Sequence, residues 1–237
     1  LREYCSAAEF VYEKVKSVSF CGDTFVVNSR EFDKVIIATG GKSYPLTGSD
    51  GSGYRLASKL GHTVTALSPS LIPLESASKL CPALQGLSLK NVAITINDKN
   101  GHTIYRDFGE MMFTHFGVTG PMILSASAHL RDEDISELTL SIDLKPALDE
   151  SKLNDRILRD LETYRNRSME NALTDLLPRS MIPVVLRRLN IDPAMQANSL
   201  KKQHRQAMVA LLKNFTVVIK GKRPVAEAII TSGGVKV

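Results

Sequence analysis

The stretch VIIATGGKSYP, residues 35–45, decides how this chain is read. Residues 33–39 are rich in β-branched side chains and apolar on both faces, the pattern of a buried parallel strand. The run stops at Gly40-Gly41, and Lys42-Ser43 follow. A phosphate-binding loop would need a glycine five residues before Gly41, and Ile36 stands there. Pro45 also biases Tyr44 toward an extended conformation, where that motif needs a helix. The later GSDGSG, residues 48–53, runs G-x-x-G-x-G and does not leave a strand directly, so it is no dinucleotide fingerprint. Two readings of the Gly-Gly remain: a plain turn, or a ligand crevice at the carboxyl end of a strand.

Working outward, Gly22-Asp23 lies between strand-forming residues and signals a hairpin. Beyond the Gly-Gly, Asp50 or Ser52 is placed to cap a helix with Tyr54, Ala57 and Leu60 on one stripe, and Gly61 to end it. The texture changes after Pro69. Alternating segments flank Asn100-Gly101, the dipeptide of a tight hairpin, and residues 137–144 read as another strand, stopped by Pro146. Residues 111–130 approach the length of a membrane span. His115, the Gly120-Pro121 break and several hydroxyls make them strand, turn and buried helix instead. From about 149 to 214 the pattern is helical, with Leu153, Ile157, Leu161 and Tyr164 in one stripe and Pro178, Pro183 and Pro193 as punctuation. A last apolar strand, residues 226–234, again ends in two glycines, Gly233 and Gly234.

The bulk composition suits a globular protein: 237 residues, 43% hydrophobic and 23% charged. The net charge of +5 is not gathered into any block, so the basic residues read as a solvated face, and no nucleic-acid partner is expected. Cys5, Cys21 and Cys81 are too few and too scattered for a disulfide framework or a zinc site, which points to a reducing, cytoplasmic setting. No metal site and no membrane partner are expected.

Several segments together resemble one family. Residues 33–62, PSLIPL (69–74), LQGLSLKNV (84–92), GEMMFTHFGVTGPMILSAS (109–127), IDLKP (142–146) and AIITSGGV (228–235) are similar, in order, to the YhiN/BaiN-type bacterial FAD-dependent oxidoreductases. The resemblance implies a mixed α+β and α/β fold. A glutathione-reductase-type FAD-binding domain would be interrupted by an insert domain of a small β-barrel plus a helical bundle. It assigns residues 1–66 to the FAD domain and 67–225 to the insert, with the barrel at 67–148, the helices at 149–214 and a return strand at 215–225. Residues 226–237 would open the second FAD-domain segment.

The same resemblance implies cofactor contacts at Thr39, Gly40, Gly41, Ser43, Gly48, Thr231, Gly233 and Gly234, with FAD as cofactor and NAD(P)H as electron partner. The family's G-x-G-x-x-G unit and its flavin-closing segment have no counterpart here, so the chain reads as an internal fragment that binds no FAD tightly. A small-molecule substrate is implied for the intact enzyme; the alternative is a non-catalytic module that binds RNA or protein. Catalytic residues are not assigned. His115 has a suitable unperturbed pKa, but no neighbouring carboxylate is evident, and a strand-end histidine reads as structural.

Overall fold

The computed structural model describes residues 7–130, 135 and 138–237. The chain divides into two compact units, Leu1–Leu67 with Thr231–Val237, and Ser68–Ile230.

In the first unit, Val18–Cys21 (β1), Thr24–Val27 (β2) and Arg30–Phe32 (β3) form an antiparallel meander. The expected hairpin turns at Gly22-Asp23, where Gly22 takes a left-handed φ of 63°. Asn28, also left-handed, shapes the next turn. Its Oδ1 accepts the Lys16 N–H at 2.8 Å, and its Nδ2 donates to Glu13 and to the Lys14 carbonyl, so residues 13–17 are tied to the meander. Helix α1, Ser52–Lys59, starts where Asp50 Oδ1 accepts the Ser52 N–H at 2.8 Å. Its buried face is Gly53, Leu56 and Ala57, with Tyr54 and Leu60 only partly covered, so the expected stripe is rotated by about one position.

The expected strand over residues 33–39 is not formed. These residues are extended and mostly exposed, with Ile36 91% accessible. Their backbone makes no hydrogen bond among the described residues. The physical reason is that a strand is defined by its neighbour. Local sequence specifies apolar faces, but the ladder needs a second chain segment, and none pairs with these residues among the described ones.

The second unit begins with the short strands Ser68–Ser70 (β4) and Leu74–Glu75 (β5), then the single turn of helix α2, Leu80–Ala83. Next come the long strands β6, Ser88–Asn97, and β7, Thr103–Phe113, the short strand β8, Gly117–Thr119, and helix α3, Pro121–His129. Strand β9 is Leu138–Asp143. The helices follow as α4 (Glu150–Thr163), α5 (Met169–Ala172), α6 (Ile182–Arg188) and α7 (Lys202–Lys213). Strands β10, Phe215–Ile219, and β11, Gly221–Lys222, complete the unit's sheet; the chain's last strand is β12, Ile230–Ser232.

Seven strands form one sheet in the order β10-β9-β6-β7-β8-β5-β11. The expected barrel is not found closed. Its two edge strands are successive pieces of one stretch, separated only by Lys220, while β11 pairs β5 over just two residues. The sheet is therefore an open ladder whose two edges are made by neighbouring chain. The β6–β7 connection also differs from the two-residue turn expected at Asn100-Gly101. Residues 98–102 intervene, and the Asp98 carboxylate organises them by accepting the N–H groups of Asn100 and His102, each at 2.8 Å. Burial works against that ionised carboxyl, but the His102 hydrogen bonds outweigh it and hold its pKa below the usual carboxylate value.

Residues 111–130 resolve into the end of β7, β8 and α3, and no helix among the described residues is long and apolar enough to cross a membrane. Asp149 caps α4 by accepting the Lys152 N–H, and Leu153, Ile157 and Leu161 are buried as the stripe requires. The final strand is much shorter than the nine-residue run expected. Residues 225–227 form a 3-10 turn after Pro224 instead.

Candidate functional site

The candidate residues gather in the first unit around α1 and the C-terminal segment. Residues 63–65 run beside 234–236: the Thr65 N–H donates to the Gly234 carbonyl at 2.8 Å, the Lys236 N–H to the Thr63 carbonyl at 2.8 Å, and Val64 bridges Val235. This places Thr231 against the loop after the Gly-Gly. Its Oγ1 accepts the N–H of Lys42 at 2.8 Å and that of Ser43 at 3.0 Å, and its hydroxyl donates to Ser43 Oγ at 3.4 Å. One threonine thus satisfies two backbone donors of a loop 188 residues away in sequence.

That knot explains Gly41. A Cβ there would lie 2.7 Å from Thr231 Oγ1 and 3.5 Å from Tyr54 Oη, so this glycine makes room for protein atoms. Gly233 is needed for two reasons. Its φ of 86° is left-handed, and a Cβ would stand 2.2 Å from the Ala66 carbonyl oxygen.

Thr39 and Gly40 are placed differently. Both line a pocket of about 340 Å³ whose wall also includes Ile37, Tyr54, His62 and Val235. A second hollow of about 290 Å³, walled by Val15, Val18, Phe32 and Ile36, shares Val35, Ile37 and Thr39 with the first. The segment therefore lines both hollows, and its backbone makes no backbone hydrogen bond among the described residues.

The structure thus brings Gly41 and Ser43 to Thr231 and seats Thr39 and Gly40 at a pocket. Gly234 lies beside Tyr54, its would-be Cβ 3.6 Å from the Tyr54 ring. Gly48 stands apart: it closes the 3-10 turn Pro45–Thr47, exposed, with nothing within 4 Å of a would-be Cβ. Tyr54 and His62 were not singled out as site residues. Tyr54 was legible only as part of a helix stripe, and His62 carried no signal beyond following Gly61.

Electrostatics in this unit centre on Asp50. Hydrogen bonds from Ser52, with Lys14 and Arg55 nearby, hold its carboxyl at about 2. Asp50 thus sets a negative charge beside the first N–H of α1. Elsewhere, His115 is exposed, its ring edge-on to Phe116 at 5.0 Å, with no hydrogen bond or ion pair among the described residues. Cys21 and Cys81 are free, burial pushes the Cys81 thiol up, and Cys5 lies outside the described residues. No group of three or more potential metal ligands occurs among the described residues.

A family model, the HI0933-like protein barrel and H2TH domain, matches residues 68–230. The chain is 27% identical over 206 residues to a 3-dehydro-bile acid delta(4,6)-reductase of Clostridium scindens, covering 86% of this chain and 50% of that protein. It is 30% identical over 204 residues to a ribosomal RNA dihydrouridine synthase of Escherichia coli, covering 86% of this chain and 48% of that one. A ribosomal RNA dihydrouridine synthase of Haemophilus influenzae is 26% identical over 213 residues, 88% of this chain and 50% of its own. The chain spans about half the length of these curated relatives. With residues 68–230 matched as a unit and both kinds of relative aligned across most of its length, the chain belongs to the HI0933-like family, the YhiN/BaiN-type group of oxidoreductases.

Proposed function

We propose that the complete gene product carrying this chain is a flavin-dependent reductase that saturates a carbon–carbon double bond conjugated to a carbonyl. The relatives' names support this class: a delta(4,6)-reductase acting on a 3-dehydro-bile acid, and a synthase of dihydrouridine, the reduced form of uridine. What carries the reading in this structure is the backbone of residues 35–40, which makes no backbone hydrogen bond among the described residues and lies beside a pocket of about 340 Å³.

The residues present fit one side of a flavin nucleotide. Thr39 and Gly40 would face it with backbone groups that make no backbone hydrogen bond among the described residues, and the apolar wall at Ile37 and Val35 would exclude water from it. Bound FAD supplies the hydride chemistry. Thr231 acts indirectly, holding the Lys42 and Ser43 N–H groups so that the loop after Gly41 keeps its path. At the start of α1 the Asp50 carboxylate accepts the Ser52 N–H, so an anion there would meet a like charge. NAD(P)H is the electron donor in this proposal, and the substrate is a conjugated carbonyl compound.

The test is to purify the complete gene product, record its flavin spectrum, and follow NAD(P)H consumption with a steroid dienone and with uridine-containing RNA in parallel. A bound flavin with turnover of either substrate is the expected result. A colourless protein that turns over neither overturns the proposal.

A further inference from the structure

Four cations converge on one hollow of the first unit. A pocket of about 240 Å³ is lined by Lys14, Lys16, Ser52, Arg55 and Lys59. The two lysines of residues 14–16 are set by Asn28, which accepts the Lys16 N–H and donates to the Lys14 carbonyl. Helix α1 supplies the rest: Ser52, Arg55 and Lys59 are spaced at three and four residues, which places them along one helical face.

Against four positive charges stands one carboxylate, Asp50, at 3.6 Å from Lys14. It is already engaged in capping α1. Glu13 is held by the Asn28 amide. Among the described residues, the side chains of Lys16, Arg55 and Lys59 make no hydrogen bond or ion pair. Like charges around one concavity repel each other, and the concavity focuses their field on an anion that enters it. An arginine fork beside flexible ammonium groups matches the several acceptor oxygens of a phosphate better than a single carboxylate.

We propose that this hollow binds a phosphate or diphosphate group, carried by a free nucleotide or by a nucleic-acid backbone. The inference is independent of the reductase reading, because it rests on a different pocket and different residues.

The test uses the chain itself at low ionic strength. Sodium pyrophosphate is titrated by calorimetry, and a short labelled single-stranded RNA by fluorescence anisotropy. Saturable one-site pyrophosphate binding is expected, weakening as salt is raised. Arg55→Ala/Lys59→Ala, and separately Lys16→Gln, should each weaken it about tenfold, as loss of charge-assisted hydrogen bonds implies. Lys90→Ala/Lys152→Ala, which removes equal charge from the second unit, should change it less than about twofold. Thermal melting of each variant confirms that the fold is kept. RNA that binds, is displaced by pyrophosphate and is lost in the same variants identifies a backbone phosphate as the source. Pyrophosphate binding without RNA binding identifies a free nucleotide. No saturable pyrophosphate binding, or an equal loss in the Lys90/Lys152 control, overturns the proposal.

Discussion

In residues 68–230 one apolar core runs continuously from Leu74 to Ile219, and side chains such as Phe113, Phe215, Ile96 and Leu140 are wholly buried. In the first unit the buried apolar residues among those described are Val18, Leu56 and Ala57 alone, while Tyr12, Phe20, Ile36 and Leu46 are exposed. The two units are therefore held together by different means. The sheet-and-helix unit packs its own interior. The first unit has polar knots at Asn28 and Thr231, exposed apolar side chains, and a segment, residues 33–39, whose backbone makes no backbone hydrogen bond among the described residues.

Substitutions should expose this contrast. Phe113→Ala or Phe215→Ala should destabilise the second unit by about 3–5 kcal/mol through cavity formation, read as a lower urea midpoint. Ile36→Ala should move that midpoint by no more than about 0.5 kcal/mol, since the side chain is exposed. Comparable losses from the two substitutions would break the comparison.

A smaller effect is expected at Lys213. Its ammonium pairs with Asp143 at 2.5 Å and donates to the carbonyls of Leu148 and Lys145, so it ties α7 to the end of β9. Lys213→Ala should cost about 1–3 kcal/mol, because it leaves a half-buried carboxylate and two carbonyls without their donor. Lys213→Met would separate lost packing of the aliphatic stem from lost charge.

Within the first unit, Gly41→Ala should disturb the loop, because its Cβ meets Thr231 Oγ1 at 2.7 Å. A cost of about 1–3 kcal/mol is expected, and Thr231→Ala in the same chain should recover part of it. Full additivity of the two substitutions would show that Gly41 and Thr231 are not in contact.

A further effect is the pH response of Asp50. Its carboxyl is lowered from 3.8 to about 2, so the folded state favours the ionised form. The stabilisation it contributes is present above 3.8 and is lost as pH falls through about 2. The urea midpoints of the parent and Asp50→Ala should therefore differ near neutral pH and converge as pH drops through that window.

Much of this architecture was legible because it is local. The Gly22-Asp23 hairpin, the Asp149 cap and the Leu153–Ile157–Leu161 stripe are each written within a few residues of where they act. What escaped was non-local. Nothing near residues 33–39 states whether a partner strand exists, and nothing near Gly41 announces Thr231. Strands as short as Leu74–Glu75 and Gly221–Lys222 carry no periodicity at all, yet they decide whether the sheet closes. The candidate site was readable as a cluster of glycines, but not in its division: Thr39 and Gly40 face a pocket, while Gly41 and Ser43 serve an internal knot.

Hydrogen exchange on the complete gene product, with and without added FAD, probes the assignment of the open backbone to the cofactor. The account predicts fast exchange at the amides of residues 36–40 without FAD and marked protection there when it is bound. The strands β6, β7, β9 and β10 should be protected in both states. Unchanged exchange at residues 36–40 on saturation with FAD would contradict the assignment of that open backbone to the cofactor.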